Sequence, residues 1–83
     1  MKGDMTPVRD ITVRAEADLV AQVLEVRVVA GQPVAAGDEL VLLESMKMEI
    51  PVLAERAATV AEVAVAAGAA VQPGDLLVLL RER

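Results

Sequence analysis

The stretch Glu44-Ser45-Met46-Lys47-Met48-Glu49 holds the one chemically distinctive group in this chain. Lys47 is the only lysine besides Lys2, and every other basic residue is an arginine. It is bracketed by two flexible thioethers, Met46 and Met48, with the carboxylates Glu44 and Glu49 just beyond. There is no Cys and no His, so thiolate chemistry, disulfides and the commonest metal ligands are absent together. Without His, Cys, Tyr or a Ser paired with a base, the inventory does not point to an acid–base or nucleophilic catalytic site. What remains is a primary amine as an acceptor for chemistry done by another protein. A lone lysine is usually a solvated surface charge, and methionines are usually core filler. The hexapeptide gains meaning only from its placement.

That placement follows from an internal repeat at an offset of 37 residues. Aligning Val23–Leu43 with Val60–Leu80 makes 13 of 21 positions identical. Val23, Glu25, Val26, Val28, Ala30 and Gly31 recur as Val60, Glu62, Val63, Val65, Ala67 and Gly68. Val34, Gly37, Asp38 and Leu40 to Leu43 recur as Val71, Gly74, Asp75 and Leu77 to Leu80. Each copy reads as a strand (Gln22–Val28; Ala58–Val65), a Gly-opened loop, a short apolar step at Val34 or Val71, a Gly-Asp turn and a second strand (Glu39–Glu44; Leu76–Leu80). In the turn, Gly tolerates positive φ and Asp bonds its own turn backbone. The Leu-Val-Leu-Leu runs suit strands buried on both faces. Arms at Asp10–Ala15 and Met48–Leu53 obey the same offset, giving about eight short strands.

The reading is all-β: a flattened barrel or sandwich of two four-stranded antiparallel sheets related by a pseudo-two-fold axis. One copy alone could not bury its apolar face, and two pressed together can. Residues 1–8 read as a flexible leader and 9–83 as one domain. Lys47 falls in the join between the copies, at the tip of a hairpin exposed to solvent. A Met-Lys tip breaks the usual preference for Asn, Asp and Gly, and such local rule-breaking points to function.

The net charge of −5, with no basic run and no aromatic residue, argues against nucleic acid. The longest uncharged stretch, Val63–Gly74, is too short to span a membrane, and no signal-peptide pattern opens the chain. The expected location is cytoplasmic.

Over about residues 9–81 the chain resembles the biotinyl domain, the biotin carboxyl carrier of biotin-dependent carboxylases. Glu44-Ser45-Met46-Lys47-Met48 is similar to that family's Glu-Ala-Met-Lys-Met motif, with Ser45 in place of Ala. The resemblance implies that biotin is attached covalently to Lys47, that Met46 and Met48 are recognition flanks, and that the domain is non-catalytic. It implies three partners: a biotin protein ligase that loads Lys47, a biotin carboxylase and a carboxyltransferase, between which a carboxyl group is carried. Ala21 and Ala58 stand where the family usually has Gly, leaving negative φ or strain as alternatives there. The equal lengths of Ala30–Asp38 and Ala67–Asp75 leave no room for the protruding thumb of some carriers. A lipoyl domain shares the architecture but usually shows Asp-Lys-Ala at the tip. An unmodified β-sandwich interaction module is the alternative of another class.

Overall fold

The computed structural model of the chain describes residues 12–82, so the expected leader at 1–8 and the start of the first arm lie outside the described residues. Eight strands follow in order: β1 Thr12–Glu16, β2 Ala21–Val26, β3 Pro33–Val34, β4 Glu39–Ser45, β5 Met48–Leu53, β6 Ala58–Val63, β7 Ala70–Val71 and β8 Leu76–Glu82. They form two four-stranded antiparallel sheets, ordered β1-β8-β6-β3 and β5-β4-β2-β7. The all-β, two-sheet architecture read from the repeat is the observed one.

The 37-residue offset relates the sheets strand for strand: β1 to β5, β2 to β6, β3 to β7 and β4 to β8. The short strands are exchanged. β3 leaves the first copy to pair with β6, and β7 leaves the second to pair with β2. Neither copy therefore completes a sheet by itself.

The core carries the same symmetry. Ala17, Ala21, Val23, Val34, Leu40, Val41 and Leu43 are buried, and so are their mates Ala54, Ala58, Val60, Val71, Leu77, Val78 and Leu80. Val28 completes the buried set, and no polar side chain is buried among the described residues. With no aromatic ring available, the interior is filled by Val, Leu and Ala side chains from both sheets. Paired irregularities make this possible. The β4–β5 register shifts between Glu39 and Val41, so Leu40 is an extra residue, and both Leu40 and Val41 are fully buried. The β1–β8 ladder has the same shift around Leu77. A bulge sets neighbouring side chains on one face, which strict alternation forbids.

The strands over Gln22–Val28 and Ala58–Val65 end earlier than their apolar patterns run, at Val26 and Val63. Val28 is buried, yet it lies in the crossover to β3. Ala21 and Ala58 do not occupy left-handed backbone, so the first of the two alternatives holds there. Both open strands as buried residues.

The Gly-Asp turns are built alike. Gly37 and Gly74 sit at φ 93° and 92°. Asp38 N–H donates to Ala35 O, and Asp75 N–H to Gln72 O, at 3.0 Å each. The carboxylates of Asp38 and Asp75 accept from Ala35 N and Gln72 N at 2.9 Å. Positive φ at the third residue is the signature of a type II turn. A Cβ built on Gly37 meets nothing within 4 Å, so only the backbone opposes a side chain there. We expect Gly37→Ala to cost about 1–2 kcal/mol in a denaturant melt. A loss above about 3 kcal/mol would mean that packing, not φ, sets the residue.

Candidate functional site

The hairpin of β4 and β5 brings the hexapeptide together. Glu44 pairs with Glu49 and Ser45 with Met48, leaving Met46-Lys47 as a two-residue loop. Both loop residues are left-handed, Met46 at φ 53° and Lys47 at φ 65°. Positive φ at both central positions is the type I′ pattern, whose twist matches the flanking strands. Among the described residues these are the only non-glycine positions with positive φ. An L-residue with a long side chain pays about 1–2 kcal/mol for that conformation. Met46→Asn should therefore stabilise the fold by about 1 kcal/mol, raising Tm by about 4–8 °C. An unchanged or lowered Tm would show that this turn holds no strain.

The side chains at the tip face water. Met46 is 91% exposed, Met48 63%, and Lys47 is exposed as well. Arg14, Arg27 and Arg56 are each in ion pairs, with Glu16, with Glu25 and Glu39, and with Glu82 respectively. Arg81 also has a partner. Lys47 is the one cation among the described residues with neither an ion pair nor a hydrogen bond. The Arg56–Glu82 contact is strong enough to raise the Arg56 pKa, through the hydrogen bond first and charge second. The flanking carboxylates Glu44 and Glu49 face each other across the hairpin rather than pairing with Lys47.

One anchor of the tip leaves little trace in the sequence. The Ser45 hydroxyl donates to the backbone O of Val20 at 2.9 Å, tying β4 to the bend before β2. The only sequence signal for it is a hydroxyl where the motif usually carries Ala. β5 is an edge strand, and it holds Pro51 opposite Leu42. Pro is tolerated on an edge and blocks further strand addition. A groove of about 320 Å³ runs along the seam of β1 and β5, lined by Val13, Ala15, Val52 and Leu80 among others. Lys47 does not line this groove and is exposed to solvent. Among the described residues there is no cluster of ligands for a metal.

Among the described residues, a two-sheet β scaffold thus presents one unpaired amine, on a hairpin tip with left-handed backbone. Residues 9–80 match the family described as biotin-requiring enzyme, the biotin/lipoyl family, and the chain belongs to it. Similar curated proteins include the biotinylated protein TB7.3 homologue of Mycobacterium leprae, 68% identical over 38 residues. That match takes in 46% of this chain and 54% of the relative, so the chain spans about half the length of the curated relatives it matches. A biotin/lipoyl attachment protein of Bacillus subtilis is 52% identical over 33 residues, covering 40% of this chain and 45% of the relative. Among solved structures, a single-chain, multi-domain long-chain acyl-CoA carboxylase matches 87% of this chain with 7% of its own, at TM-score 0.81 and 33% identity. The urea carboxylase of Kluyveromyces lactis covers 96% of this chain with 7% of its own, at TM-score 0.79 and 25% identity. The lipoyl domain of the 2-oxoglutarate dehydrogenase complex of Azotobacter vinelandii aligns over 88% of this chain and 95% of its own, at TM-score 0.66 and 27% identity.

Proposed function

We propose that this domain is a biotin carboxyl carrier, that Lys47 is the attachment residue, and that Met46 and Met48 flank it as recognition elements. The observation that carries the reading is the Lys47 amine itself: exposed, free of any ion pair, and held at a hairpin tip. The family membership supports biotin as the group attached. The residues fit it, because an amide at Lys47 Nζ needs only an accessible primary amine and a stem long enough to clear the domain surface.

Bound there, biotin supplies a ureido nitrogen that can hold a carboxyl group. The work of the chain is to bind and to present. Nothing packed against Lys47 acts as a base, so the ligase that loads it must remove the ammonium proton and bring an activated carboxyl. Nζ would then be the nucleophile that takes the acyl group, with the activating group departing from the carboxyl carbon as the amide forms. The charge on Lys47 is lost in that step, and no ion pair has to be broken first. The domain catalyses nothing; a biotin carboxylase and a carboxyltransferase act on the group it presents. Among the described residues no helix is long and apolar enough to cross a membrane.

The lipoyl fold neighbour makes lipoate the competing adduct. Met46 and Met48 beside Lys47, rather than Asp and Ala, favour biotin. Intact mass after co-expression with a biotin ligase, and separately with a lipoate ligase, distinguishes them. A single biotin adduct mapped to Lys47 is expected. A lipoate adduct, or none, overturns the proposal.

A further inference from the structure

The two copies of the repeat differ most informatively at their matching ends. At the Lys47 end, the bend before β2 carries Leu19 and Val20, and β4 ends in Ser45. The mates of these three residues, at the other end, are Arg56, Ala57 and Glu82. There an Arg56–Glu82 ion pair joins the matching positions, and a small alanine, Ala57, stands where Val20 stands. At the lysine end the Ser45 hydroxyl does the joining, by donating to Val20 O at 2.9 Å, and leaves the Val20 side chain 68% exposed. Extending the Gln22–Glu44 pairing by two residues puts Val20 level with Met46, one strand over. Of the five large hydrophobic residues exposed among the described residues, Val20, Met46 and Met48 thus gather at one strand end; Val29 and Leu53 lie elsewhere. Isolated apolar side chains on a surface are ordinary, but three exposed at one strand end beside the acceptor amine give an approaching protein an apolar rim.

We infer that Val20 is a specificity residue for the loading of Lys47, and that Ser45 is the positioning residue that holds it there. This rests on the carrier reading above. The occupant of the patch is the enzyme that acylates Lys47, which must reach the amine across this rim. Its matching surface is apolar next to its acyl-transfer centre, and it receives Val20 together with Met46 and Met48. Ser45 never touches the reacting atoms. Its hydroxyl fixes the Val20 backbone against the base of the hairpin, which holds Val20 at the same strand end as Met46 and Met48.

The test uses the full chain and a biotin protein ligase with biotin and ATP, reading KM for the domain and kcat separately. Val20→Asp should raise KM about tenfold while leaving kcat and Tm near wild type, as expected for a contact made on docking. Val29→Asp is the matched control. Val29 is 67% exposed and lies past the end of β2 that pairs with Val41, away from the tip. It should leave KM unchanged. Ser45→Ala should raise KM by about threefold, with Ser45→Thr restoring it, because only the hydroxyl holds the bend. Equal KM for Val20→Asp, Val29→Asp and wild type, with normal biotin uptake, overturns the inference and leaves the carrier reading intact. A wild-type chain that takes up no biotin sinks both.

Discussion

Lys47→Arg should take up no biotin at all. The guanidinium stays protonated at any pH a ligase works at, and its nitrogens are committed to a delocalised cation, so no lone pair is free for acyl transfer. The substitution keeps the charge and the length, and the side chain it replaces is exposed and makes no ion pair. Stability should therefore stay within about 0.5 kcal/mol of wild type. Intact mass and a streptavidin blot read the first point, and a thermal melt the second. Biotin retained on the arginine variant would have to sit on another amine. Lys2 is the only other lysine, and peptide mapping would find it.

Leu43→Asp should abolish loading for the opposite reason, with the amine intact and its support gone. Leu43 is fully buried on β4, two residues before Ser45, and faces the shared core. An isolated carboxylate placed there costs several kcal/mol, set against a total stability of about 5–15 kcal/mol for a domain of this kind. Its neighbour Leu42 is only half-buried and would be a blunter test. Circular dichroism should show loss of the β signal, and the same ligase reaction should leave the protein unmodified. Leu43→Ala, at about 2–5 kcal/mol, should give partial unfolding and a proportionate loss of loading. Efficient biotin incorporation into an unfolded Leu43→Asp chain would show that the ligase reads the peptide and not the hairpin.

The repeat made most of this architecture legible. Once Val23–Leu43 and Val60–Leu80 are aligned, strand number, the mated core and the position of Lys47 in the join follow from counting. The Gly-Asp turns were readable because Gly37 and Asp38 each have a local task, and local tasks leave local signals. What depends on a neighbouring strand left none. The apolar patterns of β2 and β6 continue past the last ladder pairs because Val28 and Val65 still touch the core from irregular backbone. The bulges at Leu40 and Leu77 exist only relative to β5 and β1. The left-handed backbone at Met46 and Lys47 runs against residue preference, so no propensity could announce it. The Ser45–Val20 tether spans 25 positions and is a property of the folded tip alone.

The exchange of β3 and β7 has a bearing on how such a chain can be cut and rejoined. Thr12 pairs with Arg81 as Glu49 pairs with Glu44, so a link from Glu82 to Thr12 would stand where Met46, Lys47 and Met48 stand in the hairpin. A circular permutant that links those two positions with a short turn and opens between Met46 and Lys47 would keep every ladder pair. It would also turn Lys47 into a chain terminus, separating the architecture, which survives the rewiring, from the closed loop, which does not.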